Sequence, residues 1–291
     1  SLPPRSVLLL GPRQVGKSTL VKAQLGPHAW TVDLLEHEIW LRFAKEPGRF
    51  RQEALAKIRS GTKTIFIDEI QKLPELLDEV HSLIEETKTR FILTGSSARK
   101  LKRHGSNLLA GRASVRRLHP LVRRELGESF SLDRTLALGS LPPVATADDE
   151  TARDILRAYA TTYLREEIQA EAVVRNLGGF SRLLDVAAAE SGSIVNFSAL
   201  GREAGIATRT VQEYFQVLED TLILHRLEAW RKSARARLVA HPRFYFFDTG
   251  VTNALARRLT LDSDPVAKGR LFEQLIVLEC LRTIDYRQSD A

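Results

Sequence analysis

A segment near the amino terminus has residue types and spacing that suit phosphate binding. Residues 11–18, GPRQVGKS, fit the pattern GxxxxGK[ST] between a predicted strand and a helix-forming stretch. Glycines let successive backbone N–H groups surround phosphate oxygens at a helix N-terminus, whose dipole attracts anions. We expect Lys17 to reach the β- and γ-phosphates of a nucleotide and the Ser18 hydroxyl to ligate Mg²⁺. The predicted nucleotide-binding residues are Gly11, Pro12, Arg13, Gln14, Val15, Gly16, Lys17, Ser18 and Thr19, with Thr19 the less favoured metal ligand.

Two adjacent acids follow an apolar run about 50 residues after this loop. Residues 64–67, TIFI, read as a buried strand, and Asp68 and Glu69 come directly after it. At the end of such a strand, Asp68 can hold Mg²⁺ through its water shell. Glu69 is placed to polarise an attacking water, which is general-base chemistry. Adjacent acids are usually surface charge, but this position after a phosphate-binding loop favours a catalytic role.

Two further polar features are candidates for the same reaction. Residues 90–97, RFILTGSS, read as another apolar strand that ends in hydroxyls, and Thr94 or Ser96 could contact the γ-phosphate or the attacking water. An ordinary Ser/Gly turn explains this segment equally well. Arg112 could supply the positive charge that stabilises the transition state of phosphoryl transfer.

The pattern of elements predicts an α/β fold followed by a helical region. Strand-like runs alternate with helix-like segments in the first part, which is typical of a parallel sheet with crossover helices. The predicted strands are residues 7–10, 31–34, 64–67, 91–93 and 114–118. A turn-rich stretch at residues 139–149 suggests a domain boundary. Beyond it, Leu156, Tyr159 and Leu164 follow the spacing of one buried helical stripe.

Residues 197–220 read as a helix, a tight turn at Gly205 and a second helix. The following segment LILHRLEAW, with RLVA at residues 237–240, is typical of a two-stranded wing. These features predict a winged helix. We assign residues 1–128 to an ATPase domain, 129–150 to a linker, 151–240 to a helical and winged-helix domain, and 241–291 to the start of a further domain.

The charge distribution is compatible with a polyanionic partner. The formal net charge is +7, and residues 99–124 contain nine Lys or Arg and no acid. Such a run is usually a solvated face. In the predicted winged helix, Arg209 and Gln212 would lie on the exposed side of the second helix, where DNA could bind.

No feature of the sequence suggests a membrane protein. The apolar run at the amino terminus is too short for a signal peptide, and no stretch approaches the ~20 apolar residues that span a bilayer. We therefore expect a cytoplasmic protein with no membrane partner.

Longer motifs resemble a known family. The runs FIDEIQKLPELLDEVHSLIEE, FILTGSSARKLKRHGSNLLAGRA, LEDTLILHRLEAW and FYFFDTGVTNAL are similar to those of prokaryotic AAA-type ATPases that carry a C-terminal domain of unknown function. The resemblance implies a P-loop domain with an additional strand, a helical and winged-helix region, and a domain similar to restriction-endonuclease-like nucleases. It implies a homo-oligomer and supports the roles given to Lys17, Ser18, Asp68, Glu69, Ser96 and Arg112. Of a nuclease site, only Asp248 and Glu273 are present, so we expect a truncated nuclease-like segment without activity.

Three functions compete at this point. The leading one is Mg²⁺-dependent ATP hydrolysis that moves a C-terminal module on or near DNA. The alternative is a nucleotide-gated signalling or defence switch, in which the winged helix binds protein. A metabolic P-loop kinase is disfavoured because the Asp68–Glu69 pair suits water activation. ATP is favoured over GTP because the chain lacks an NKxD-type guanine motif.

Overall fold

The structure is a computed structural model with two compact units, Ser1–Leu118 and His119–Ala291. The first unit has an α/β fold and contains the predicted phosphate-binding loop, and the second unit is mostly helical. The residues described are 2–97, 99, 101, 111–164, 176–229, 242–259 and 264–288.

A five-stranded parallel sheet forms the centre of the first unit. The strands are β1 (Val7–Leu10), β2 (Ala29–Asp33), β3 (Thr64–Asp68), β4 (Arg90–Gly95) and β5 (Ser114–Arg117). Their order is β2-β3-β4-β1-β5, so β4 lies between the strand before the loop and the strand before the acids. All five predicted strands form, and β4 is the additional strand that the resemblance implies.

The central strands are apolar because both faces of the sheet are covered. Every residue of β1 is buried, as are all residues of β3 and β4 after the first. The described helices of this unit include α1 (Lys17–Lys22), α2 (His37–Lys45), α3 (Pro47–Arg59) and α4 (Leu76–Thr87). Leu76, Leu77, Val80 and Leu83 of α4 are buried, and this helix packs against β4 and α3.

The second unit begins with short helices, of which the first lies in the range assigned to the ATPase domain and the next two in the range assigned to a linker. They are α5 (Arg123–Leu126), α6 (Leu132–Leu138), α7 (Pro142–Ala145) and α8 (Asp149–Ala158). Most of residues 129–150 are therefore helical. They also contact a distant part of the same unit, because Thr249 Oγ1 donates to the carbonyl of Thr135 at 2.6 Å. After α8 the helix continues as a π-helical turn, Tyr159–Tyr163, which buries Tyr159.

A helix-turn-helix and an antiparallel pair of strands follow in the same unit. The elements are α9 (Leu177–Ala189), α10 (Phe197–Ala204), α11 (Thr208–Asp220), β6 (Leu224–Leu227) and β7 (Arg243–Phe246). Gly205 ends α10 at φ 68, a left-handed conformation that glycine adopts without strain. Strands β6 and β7 pair antiparallel, and Ile194 forms an isolated bridge to Arg243.

The partner of β6 differs from the prediction. The sequence suggested residues 237–240, which lie outside the described residues, whereas the structure pairs β6 with the RFYF segment of β7. Phe244, Tyr245 and Phe246 are all buried, so the pairing of β6 with β7 adds three aromatic side chains to the buried apolar area of the unit.

The second unit ends with α12 (Thr249–Leu255) and the long helix α13 (Pro265–Gln288). Arg282 of α13 is buried, and its guanidinium donates to the carbonyls of Leu121 and Phe247 and to Ser140 Oγ. These bonds tie α13 to distant parts of the unit. Among the helices of the described ranges, none combines the length and the apolar composition that a membrane crossing requires.

Candidate nucleotide site

The loop between β1 and α1 has backbone geometry that depends on glycine. A Cβ on Gly11 would lie 2.3 Å from the carbonyl oxygen of Leu118, so no larger residue fits there without displacement of the backbone. Gly16 has φ 89, and Gln14 is also left-handed at φ 64. The N–H of Gly11 donates to the carbonyl of Gly95 at 3.2 Å, which fixes the start of the loop against the end of β4. Pro12, Arg13 and Val15 occupy the turn between these points.

Lys17 begins α1 and turns its side chain back over this loop. Its ammonium donates to the carbonyl oxygens of Gly11 at 2.8 Å and Pro12 at 2.9 Å, and the residue is buried. The positive charge therefore lies where the loop bends. Thr19, two residues further along α1, is exposed.

Asp68 is the point where three elements of the first unit meet. Its Oδ1 accepts from Ser18 Oγ at 2.8 Å and from the hydroxyl of Thr94. Parallel strands bring their carboxyl ends to one edge, and α1 starts above the same edge, so residues far apart in sequence converge there. Thr94 also accepts the N–H of Glu69 at 3.1 Å.

Glu69 follows Asp68 in a left-handed conformation, φ 59 and ψ 47, at the start of a short 3-10 turn, Ile70–Lys72. Its Oε2 accepts a hydrogen bond from the side-chain amide of Gln71. The same amide nitrogen donates to Ser96 Oγ at 3.0 Å. Gln71, which the sequence pattern did not single out, therefore bridges Glu69 and Ser96 through hydrogen bonds.

The donor set at this edge suits Mg²⁺ and a triphosphate. Magnesium takes oxygen ligands, and a hydroxyl beside a carboxylate is the pair that P-loop proteins present to it. Ser18 and Asp68 supply such a pair, and both lie next to the cradle of Gly11 and Gly16. Asp68 and Lys17 are at most 5% exposed, so their charges act where water screens them little.

Arg112 is not part of this cluster. It comes just before β5, whose first residue pairs with the first residue of β1, and so it lies at the amino-terminal edge of the sheet. Its Nε donates to Glu85 Oε1 at 2.7 Å, and its Nη2 contacts the same oxygen. Hydrogen bonding by Arg112 holds the pKa of Glu85 below its usual range.

The residue missed by sequence reasoning is Gln71. Its signal was an uncharged polar side chain two positions after the acid pair. What makes it part of the site is the left-handed backbone at Glu69, and local periodicity does not reveal that turn.

The exposed face of α11 contains the two residues suggested for DNA contact. Arg209 and Gln212 are both exposed, and Arg209 Nε lies 3.4 Å from Glu213 Oε1. The helix has one basic residue, Arg209, against three acids, Glu213, Glu219 and Asp220. A helix with this net negative charge is a poor match for DNA phosphates.

Asp248 and Glu273 make separate contacts in the second unit. Asp248 is buried and accepts the N–H groups of Ser140 at 2.8 Å and Val251 at 3.1 Å, so it caps α12. Glu273 accepts from Tyr245 and Arg243 instead. In the part of the chain that the structure describes, no group of three or more His, Cys, Asp or Glu side chains is placed to hold a metal ion.

Comparison with known families agrees with the geometry of the first unit. A family model described as an AAA domain matches residues 3–127. Together with the five-stranded parallel sheet, this match fits a P-loop NTPase and suggests a nucleotide-binding ATPase. A model described as a domain of unknown function matches residues 129–262.

Two mycobacterial relatives extend the similarity into the second unit. An uncharacterized protein of Mycobacterium tuberculosis and one of Mycobacterium bovis are each 29% identical to the chain over 287 residues. The match covers 94% of this chain and 62% of each relative, so the chain spans less than two thirds of their length. Neither relative has a described function.

Proposed function

We propose that the chain binds ATP with Mg²⁺ and hydrolyses it, and that the nucleotide state controls a C-terminal winged-helix module. One observation carries the proposal. Ser18 and Thr94 both donate to Asp68, and Glu69 is held beside them at the carboxyl edge of the sheet. Metal-binding oxygens, a phosphate-binding loop and a candidate base thus converge on one place.

Each residue has a distinct task in this proposal. Lys17 exchanges the carbonyls of Gly11 and Pro12 for the β- and γ-phosphates of ATP, which are stronger acceptors for an ammonium. Ser18 and Asp68 hold Mg²⁺, which when bound neutralises charge that develops on the phosphates. Thr94 orients Asp68 and fixes the backbone of Glu69.

The reaction step itself falls to Glu69. Its carboxylate accepts a proton from the attacking water, and its burial keeps it from solvent that would compete for this contact. Ser96, two residues beyond Thr94, is the candidate contact for the γ-phosphate or that water.

A catalytic role for Arg112 requires that the chain forms a homo-oligomer. Because it lies at the edge opposite the loop, its position supports action in the site of a neighbouring subunit of a homo-oligomer. Its bond to Glu85 holds the guanidinium at the surface of the unit, where a neighbour could meet it.

The partner of the second unit is a separate question. The Gly205 turn between α10 and α11, with the β6-β7 strand pair after it, supports a winged helix. The acidic balance of α11 favours the alternative function, a nucleotide-gated switch whose winged helix binds protein rather than DNA. The basic, acid-free stretches at residues 99–124 and 231–243 are the remaining argument for DNA.

A direct test of the ATPase is binding and turnover of ATP by the parental chain and by Lys17→Ala. We expect the parental chain to bind and hydrolyse ATP in Mg²⁺, and Lys17→Ala to lose binding because the phosphates lose their buried cation. ATP binding by Lys17→Ala at parental affinity would contradict the assigned site.

A further inference from the structure

Gln71 links two candidate catalytic residues through one amide group. Its Nε2 donates to Oε2 of Glu69 and, at 3.0 Å, to Ser96 Oγ. A carboxylate only accepts hydrogen bonds, so the NH₂ end of the amide must face Glu69 and the Oε1 end must face away. The orientation of Gln71 is therefore fixed by chemistry.

The backbone around Gln71 is built to bring it there. The left-handed residue Glu69 turns the chain out of β3, and the 3-10 turn that follows returns the Gln71 side chain over the carboxylate. On its other side, Gln71 Oε1 lies against Gly95, where a Cβ would be 2.9 Å away. Glycine at the end of β4 thus leaves the space that the amide occupies.

The free-energy cost of burying the Gln71 amide indicates that this side chain does more than fill space. Gln71 is 5% exposed, and its Oε1 has no hydrogen-bond partner in the described structure. A buried acceptor without a partner destabilises a fold, and an apolar side chain of the same length would avoid that cost. The benefit of glutamine at this position therefore lies in the two hydrogen bonds of its NH₂ group.

We propose that Gln71 is the positioning residue that fixes the Glu69 carboxylate for attack of water on ATP. The proposal rests on the hydrolytic function assigned to this site and adds a residue to it. Gln71 acts through Glu69 and holds neither the phosphates nor Mg²⁺. Its loss should lower kcat and leave KM for ATP unchanged.

The first experiment replaces the amide without changing its length. A misplacement of about 1 Å at a reacting group can cost roughly 10²-fold in rate, so we expect Gln71→Met to lose up to that factor in kcat. Its melting temperature should stay near the parental value, because removal of the buried unpaired acceptor offsets the loss of the two hydrogen bonds. Gln52→Met, at an exposed position of α3, is the matched control and should retain parental turnover.

Two double variants separate positioning from a structural role. In a Glu69→Gln background, Gln71→Met should cause no further loss, because the group it positions is already gone. Gly95→Ala should push the amide aside and reproduce the kcat loss, and Gly95→Ala with Gln71→Met should be no slower than Gln71→Met alone. Parental kcat in Gln71→Met, a rise in KM alone, or losses that multiply in either double variant would overturn the proposal.

A structural readout keeps this proposal distinct from the ATPase assignment. In a crystal structure with Mg²⁺ and a non-hydrolysable ATP analogue, the parental chain should retain the Gln71–Glu69 bond, and Gln71→Met should show the Glu69 carboxylate displaced. If the parental chain fails to hydrolyse ATP, the assigned function is wrong, and this comparison still decides whether Gln71 places Glu69. An unmoved Glu69 carboxylate in Gln71→Met would refute the positioning role.

Discussion

Ser18 Oγ lies 2.8 Å from Asp68 Oδ1, although the two residues are 50 positions apart in the chain. One ends the phosphate-binding loop, and the other ends the strand on the far side of β4. The contact places a hydroxyl and a carboxylate where both can face one cation. It is the structural basis for the proposed dependence of nucleotide binding on Mg²⁺.

Loss of either oxygen should uncouple ATP binding from Mg²⁺. We expect Ser18→Ala and Asp68→Asn to bind ATP in Mg²⁺ about as weakly as the parental chain does in EDTA, because neither retains the full ligand pair. Titration calorimetry with and without Mg²⁺ measures this difference. Ser60→Ala, at an exposed position after α3, should keep the parental response to Mg²⁺. Retention of that response by Ser18→Ala would contradict the assigned ligand.

Arg112 should act across a subunit interface. We expect Arg112→Ala to bind ATP nearly normally and to hydrolyse it about 10³- to 10⁵-fold more slowly. Loss of an arginine that stabilises the transition state from a neighbouring subunit, an arginine finger, has an effect of this size. Mixing Arg112→Ala with Lys17→Ala should restore activity, since a mixed interface combines an intact loop with an intact Arg112. Lys88→Ala, with its charge near the same edge, is the control for a general loss of charge.

Native mass spectrometry must show that the two variants in this mixture assemble together. If they do and no activity returns, Arg112 does not act in trans, and its bond to Glu85 is then structural.

DNA binding by the second unit should be weak at α11. Only Arg209 on this helix can neutralise a phosphate, so Arg209→Ala with Gln212→Ala should lower the salt slope of log K by roughly one unit if α11 contacts DNA. Glu213→Ala should then raise the affinity, because it removes the acid beside Arg209. Unchanged affinity and slope in both variants would favour a protein partner for the winged helix.

Asp248 should behave as a structural residue. Asp248→Ala removes the cap of α12 and leaves the Ser140 N–H unpaired, which should cost about 2–4 kcal/mol in the free energy of unfolding. Asp154→Ala, at an exposed site of α8, should change it by less than about 0.5 kcal/mol. Chemical denaturation measures both values. A stable Asp248→Ala chain would reopen the question of a functional carboxylate there.

The pH dependence of stability provides a second readout for Asp248. Burial raises the pKa of its carboxyl, with Ser140 and Arg282 opposing the shift. Because the folded chain then holds the proton more tightly than the unfolded chain, this contribution is present below the unfolded pKa and is lost as pH rises through the folded pKa. In Asp248→Asn this loss should disappear.

The sequence predicted the parts of the site that follow from strands and loop spacing. Buried apolar runs located β1, β3 and β4, and parallel strands necessarily bring Ser18, Asp68 and Thr94 to one edge. What it did not predict depends on a local backbone turn and on contacts between distant segments. The amide of Gln71 reaches Glu69 only because of a left-handed turn, and β6 pairs with residues 243–246, which bring three buried aromatic residues into the unit.

The most direct test of the account compares binding and turnover of ATP in Glu69→Gln. The amide keeps the size of Glu69 but cannot accept the proton of the attacking water, while Lys17, Ser18 and Asp68 remain in place. We predict parental affinity for ATP in Mg²⁺ and a single-turnover rate lower by roughly 10²- to 10⁴-fold. Hydrolysis at the parental rate would show that Glu69 is not the base and would contradict the central claim.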